Sequence, residues 1–324
     1  MLQSISRMLA LRLVAAIPLI LLVVTLTFFL IRLAPGDPAY ALAGGDAPSD
    51  AYLESVRQSY GLDQPLLTQY LTYLKKAASL DFGQSIYYRR PVFEVILDRF
   101  PATLLLAGAA MVLATIVGVL LAVWSAHKPG SFRDGMITSV ALVGFSVPVF
   151  WVGQLMILAF AIQLGWFPVG GYDNPRMGYT GLSHVMDVAH HMVLPTLALA
   201  LYLMAMITRI TRTSMIDVLG RNYVNVARAK GVSPAAVTWF HAFRVAVVST
   251  ITIVGVEFGT VIIGAVLTET IFSWPGLGRL FYDAILKRDF PLLTGSFIFT
   301  AVMVVVVNAL TDVLCAIADP RLRS

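Results

Sequence analysis

Residues 100–126 read FPATLLLAGAAMVLATIVGVLLAVWSA, a run without Lys, Arg, Asp or Glu, opened by Phe100-Pro101 and closed by His127-Lys128. A hydrocarbon core about 30 Å thick needs roughly 20 mostly apolar residues in a helix, so this run is long enough to cross. Five further stretches read the same way: Leu13 to Ile31, Gly135 to about Leu164, Val188 to Thr208, Val245 to Thr268 with Glu257 as its one interruption, and Phe290 to Thr311. The third is followed by the breaker Gly165-Trp166-Phe167-Pro168. The expectation is an all-α integral membrane protein of about six transmembrane helices.

Composition agrees. Of 324 residues, 58% are hydrophobic and 13% charged, with a mean hydropathy of +0.80, whereas about a quarter of a soluble protein is charged. A soluble fold of this size could not cover so much apolar surface with so few charges. The net charge of +5 does not indicate nucleic acid, because its Lys and Arg are scattered between apolar blocks rather than clustered. The single cysteine, Cys315, excludes an intrachain disulfide framework and a multi-cysteine metal site. The first apolar run follows Arg7 and Arg12, and Ala39-Tyr40-Ala41 imitates a cleavage site, but the run exceeds a signal peptide's core and Arg32 separates the two. It reads as an uncleaved helix.

Lys and Arg in short loops mark the cytoplasmic side. Twelve lie in the N-terminus, the loop near 127–134, the segment 209–244 and the C-terminus, against Arg176, Arg279, Lys287 and Arg288 in the two short loops opposite. Both termini are therefore expected inside, in the cytoplasm. The expected organisation is an N-terminus with the first helix (1–33), an extracytoplasmic helical insert (34–99), and a core transmembrane domain (100–324) with a cytoplasmic loop at about 214–244. Within the insert, Ala51 to Tyr60 and Leu66 to Leu80 read as amphipathic helices that pack on the outer ends of the spans.

Catalytic signatures are missing. No Gly-rich loop ends in Gly-Lys-Ser/Thr, and Gly276-Leu277-Gly278 reads as a tight turn. His184, His190 and His191 lack the cysteines or the helical His-Glu-x-x-His pattern of a metal site and read as interfacial. No Gly-x-Ser-x-Gly elbow occurs, and Ser146 sits beside a proline break. Of the intramembrane polar residues, Glu257 stands halfway along its span, where a carboxylate faces a cavity or a partner rather than lipid. It either lines a translocation path or holds two helices together. Asn308 and Asp312, four apart, share a helix face and suit packing or capping.

The segment Asp217 to Pro234, DVLGRNYVNVARAKGVSP, reads as a short polar helix, a glycine stop, and a second helix that starts at Ser233 with Pro234 in its first position. Small residues at Ala227, Ala229 and Gly231 let another backbone approach, and Arg228 and Lys230 offer charged contacts.

This segment resembles the cytoplasmic "EAA" loop of ABC importer permeases of the dipeptide, oligopeptide and nickel class. The likeness lies in Ala227-Arg228-Ala229-Lys230-Gly231 with His241 ten residues on. Ile31 to Pro38, Tyr60 to Pro65, Asp81 to Ser85, Glu269 to Gly278 and Ala318 to Arg323 resemble further family strings in the family's order. Two departures stand out. The family's usual glutamate and alanine are Asn225 and Val226, and a proline common after His241-Ala242-Phe243-Arg244 is missing.

The resemblance implies a MetI-like type I importer fold in a prokaryotic cytoplasmic membrane, with Asn225, Val226, Ala227, Arg228, Ala229, Lys230 and Gly231 as the ATPase-coupling loop. It also implies partners: a second, homologous permease subunit, two ABC ATPase subunits carrying ATP and magnesium, and an extracytoplasmic solute-binding protein. The chain itself would hold no cofactor or metal, perform no covalent chemistry, and form half of the pathway for a peptide or peptide-like solute. The rival readings are an ion-coupled secondary transporter, for which Glu257 alone supplies too little of the repeated midplane pattern, and a membrane enzyme.

Overall fold

The computed structural model describes residues 2–33, 38–43 and 49–318, which form helices joined by turns and by longer irregular segments at 79–91 and 164–181, with one isolated bridge between Gln84 and Pro91. Helix α1 (Leu2–Leu33) is followed by three short helices, α2 (Pro38–Ala43), α3 (Asp50–Tyr60) and α4 (Leu66–Ala78). The long α5 (Val92–Ala126) precedes α6 (Phe132–Ser146) and α7 (Val149–Met156), which runs on as a π-helical stretch, Ile157–Gln163. Then come α8 (Leu182–Leu219), α9 (Asn222–Ala229), and α10 (Pro234–Ala236), which continues through a second π stretch, Val237–Phe243, into α11 (Arg244–Gly264). The chain ends in α12 (Val266–Ile271), α13 (Leu277–Leu286) and α14 (Phe290–Ala318).

Local chemistry explains many of these boundaries. The Ser49 hydroxyl accepts the Tyr52 N–H at the start of α3, and Gly61, in the left-handed region at φ 61°, closes it. Ser131 caps α6 by accepting the Asp134 N–H at 3.3 Å. Pro148 ends α6, because it offers no N–H to the preceding turn.

Among the described residues, four helices are long and apolar enough to cross a membrane: α5, α8, the run from α10 into α11, and α14. The stretch expected as a third span is two helices, α6 and α7 with its π extension, bent by 96° at the Val147-Pro148 break, and counting that pair as one span makes five. The apolar part of α1, Val14–Leu30, falls at the short end of the range a crossing requires. The two amphipathic helices expected at Ala51 to Tyr60 and Leu66 to Leu80 appear as α3 and α4.

Helix α5 packs along α8, and the contact is made by small side chains. Ala110, Ala114, Gly118 and Ala122, each four residues from the next, are all buried. A Cβ on Gly118 would lie 3.1 Å from the Ile207 side chain, and the Thr208 hydroxyl donates to the Gly118 carbonyl at 3.3 Å. Leu199, Leu203 and Ile207 of α8 fill the space beside the alanines. The α11–α14 seam follows the same rule: a Cβ on Gly255 would fall 2.0 Å from the Thr311 side chain. In lipid, helix association depends on such close approach, because the surrounding tails are as apolar as the helices.

Gly255→Ala is therefore expected to destabilise the folded protein by about 1–3 kcal/mol, the usual cost of overpacking. Pairing it with Thr311→Gly should recover much of the loss. Thermal unfolding in detergent of the two variants reads the difference.

Candidate functional site

The segment between α8 and α11 has two faces. Val224 and Ala227, three residues apart on α9, are buried. They pack with Val123 and Ala126 of α5, Met215 and Val218 of α8, Val237 and Ala242 of the second π stretch, and Ala246 of α11. Asn225, Val226, Arg228, Ala229, Lys230 and Gly231 are exposed. The chain thus uses one face of α9 to seat the helix and leaves the other open.

The punctuation around α9 has a physical basis. Lys230 ends the helix, its N–H bonded to the Val226 carbonyl at 3.0 Å, and Gly231 takes φ +77°, which an L side chain rarely adopts. Ser233 then caps α10 by accepting the Ala236 N–H, with Pro234 at the first turn. Asn225, where the family's glutamate would stand, accepts from the Arg228 guanidinium at 3.4 Å. The Tyr223 hydroxyl donates to the His241 carbonyl at 3.4 Å, so α9 is also tied to the helix that follows it.

Beneath this segment lies an ion pair that the loop charge count did not anticipate. Arg212 of α8 donates to Asp134 of α6 through Nε at 2.6 Å and through a terminal nitrogen at 2.7 Å, a two-pronged contact. Ser125 of α5 donates to the same carboxylate and accepts from Arg212 Nε at 2.9 Å, and the Gly130 N–H adds a bond at 2.8 Å. Asp134 is only 4% exposed. Three long helices are joined at one buried carboxylate, at the same end of the bundle as α9.

Glu257 is also buried, and its Oε2 has no hydrogen-bond partner among the described residues. Gly255 and Gly259 turn toward Thr311 and Asn308 of α14. At 3.6 residues per turn, Glu257 points to the opposite side of α11. Tyr202 of α8 lies within electrostatic range of it and stacks on Phe145 of α6 with ring centroids 5.7 Å apart. Asn308 and Asp312 do different work on their shared helix: Asn308 lies against Gly259, and Asp312 pairs with Arg12 of α1 at 2.8 Å.

Just past the α11 span, Glu269 of α12 is fully buried. It accepts from the Thr103 hydroxyl at 2.7 Å and the Arg279 N–H at 3.0 Å, while Thr103 accepts the Leu277 N–H at 2.7 Å. The carboxylate therefore caps the N-terminus of α13, where the helix dipole favours negative charge. Burial pushes its pKa above the ordinary carboxylate range, against the pull of the Thr103 hydroxyl and of the Arg279 and Gly278 N–H groups. Gly276 and Gly278 leave room for it: a Cβ on Gly276 would sit 2.3 Å from the Glu269 carboxyl carbon. Trp274, also fully buried, donates its indole N–H to the Ala102 carbonyl at 2.8 Å.

The three histidines take separate partners. His184 faces Asp173 at 3.6 Å, His191 faces Asp187 at 3.5 Å, and His190 lies 2.9 Å from the Trp166 carbonyl oxygen. Among the described residues, no three His, Cys, Asp or Glu side chains are grouped to hold a metal ion.

The described residues form an all-helical bundle with a bent helix pair, α6 and α7, and a short two-faced helix, α9, between long apolar helices. The inward-facing structure of the MetNI methionine ABC transporter shares the fold, with a TM-score of 0.56 at 12% identity over 69% of this chain and 96% of that one. The family model for the binding-protein-dependent transport system inner membrane component matches residues 93–324, and the model for the N-terminal part of such membrane components matches residues 5–107. The chain belongs to this family and is a permease, a transmembrane subunit, of the ABC transporter class. The di/tripeptide transport system permease protein DppB of Pseudomonas aeruginosa (strain UCBPP-PA14) is 40% identical over 337 residues, covering 100% of this chain and 99% of the relative. The dipeptide transport system permease protein DppB of Escherichia coli (strain K12) is 38% identical over 340 residues, with the same coverage.

Removing one partner of a buried ion pair strands the other charge, at a cost of about 3–5 kcal/mol. Arg212→Ala is expected to lose stability at the low end of that range, since Arg212 retains some contact with solvent. The double variant Arg212→Met with Asp134→Leu should regain most of it. Thermal unfolding of the detergent-solubilised protein checks both.

Proposed function

We propose that this chain forms half of the transmembrane pathway of an importer for a peptide or peptide-like solute, alongside a second, homologous permease subunit. A binding protein delivers the solute outside and two ATPase subunits act inside. Support for the solute class comes from the full-length likeness to permeases named for dipeptide and tripeptide transport. The termini and α9 face the cytoplasm, α1 supplies a sixth crossing, and the region 34–99 lies outside; the Lys and Arg distribution favours this orientation.

The two-faced α9 carries the mechanistic proposal. Its inner face, which includes Ala227 of the expected coupling loop, is fixed to α5, α8 and α11, and its outer face, Asn225, Val226, Arg228, Ala229, Lys230 and Gly231, receives the ATPase subunit. Closure of the ATPases on ATP pushes α9, and the push passes to α8 and α11 through Met215, Val218 and Ala246. Contacts that differ between the two states drive the switch. Gly231→Arg places a large side chain in the left-handed region on the docking face. Solute uptake is expected to fall at least about tenfold, which corresponds to about 1.4 kcal/mol, and less ATPase should co-purify. Retained uptake, with no ATPase recovered from the wild-type complex, would sink the importer reading.

Glu257 is proposed to serve the path rather than the α11–α14 seam, because it points away from α14 and its Oε2 is unpartnered. Movement of α11 against α8 would open this acceptor to the ammonium group of a passing solute. Glu257→Gln is expected to assemble normally and lower uptake. Unchanged uptake by vesicles would remove Glu257 from the pathway.

A further inference from the structure

Helix α4 presents three distinct faces. Tyr70 and Tyr73 turn toward α1: the Tyr70 hydroxyl is 2.7 Å from the Thr25 hydroxyl and the Tyr73 hydroxyl 3.1 Å from that of Thr27, and both rings pack on Phe28. Gln69, on the same side, accepts from Arg32. Thr68, Thr72, Lys75 and Lys76 form a polar face. Between them runs a third, Leu67, Leu71, Leu74 and Ala78, at the 4-3-4 spacing of one helical stripe. No residue of α4 is buried; Leu67 is 68% and Leu71 56% exposed.

The contacts with α1 set the depth of this helix. Thr25 and Thr27 lie inside the apolar stretch Val14–Leu30, roughly 4–8 Å short of its end at 1.5 Å per residue. A helix whose tyrosines bond at that level stands at the boundary between headgroups and acyl chains, where tyrosine is enriched. The apolar stripe lies to one side of the α1 contact, and α1 itself exposes Leu22 and Leu26. Lys75 and Lys76 close the helix with positive charge, as in helices that lie in an interface.

We propose that α4 is a membrane-interfacial helix whose Leu67, Leu71 and Leu74 stripe inserts into the outer leaflet and contacts phospholipid acyl chains, Lys75 meeting the phosphate layer. The region is then a lipid-anchored collar around α1 rather than a wholly water-exposed cap. This rests on the placement of α1 in the bilayer, so the experiment reads that placement separately.

In a Cys315→Ser background, single cysteines at Leu71, Leu67, Thr68 and Leu22 are spin-labelled in the assembled transporter, reconstituted in phospholipid vesicles. Collision with oxygen, which concentrates in lipid, is compared with collision with a water-soluble nickel chelate. Labels at Leu71 and Leu67 are expected to favour oxygen several-fold, as does Leu22 on α1, while Thr68 favours the chelate. If Leu22 reads lipid but Leu71 and Leu67 favour the chelate, the stripe faces water and the proposal fails. If both reagents are excluded from Leu71 and Leu67, a protein partner covers the stripe and the proposal fails equally. A Leu22 label that favours the chelate would instead overturn the bilayer placement of α1.

Discussion

The whole arrangement depends on how closely α5 approaches α8. Lipid offers no hydrophobic reward for bringing two apolar helices together, so dispersion contacts and short interhelical hydrogen bonds must suffice. Ala110, Ala114, Gly118 and Ala122 supply a flat strip against which Leu203 and Ile207 settle. Everything that matters hangs on this pair. At one end, Ser125 and Arg212 hold α6 through Asp134, and Met215 and Val218 seat α9. At the other, Thr103 and the Ala102 carbonyl hold the Glu269 and Trp274 turn.

Much of this was legible because its causes are local. Charge-free runs longer than a bilayer is thick announce the spans, and α3 and α4 declare themselves by amphipathic spacing between Gly61 and the flanking polar residues. The α9 punctuation was readable in the same way, since a glycine stop followed by Ser-Pro has one simple backbone solution. Its division into a buried Val224/Ala227 face and an open face needed the structure, because an eight-residue helix is too short for periodicity to speak clearly.

What escaped the sequence depends on partners far apart in the chain. Arg212 counts as one more positive charge until Asp134, 78 positions away, is found against it. Glu269 and Asp289 likewise take their roles from residues remote in the chain. The structure makes Glu269 the cap of α13, and makes Asp289 the buried acceptor of the Ser85 hydroxyl and of the Tyr87 and Leu292 N–H groups. The bent α6–α7 pair is a different kind of case: hydropathy averages over Val147-Pro148 and registers one apolar run, whereas the backbone turns there.

That turn constrains where solvent can be. Pro148 has no N–H, so the Gly144 carbonyl loses its helical donor, and the first two N–H groups of α7, those of Val149 and Phe150, lack helical acceptors, while Trp151 donates to the Pro148 carbonyl at 3.0 Å. Acyl chains can satisfy neither, and hydrocarbon does not tolerate bare backbone. At membrane depth such an elbow has to be met by water or by protein, and α8 already packs against Gly144 and Phe145. The requirement is written into the main chain and is indifferent to the side chains around it.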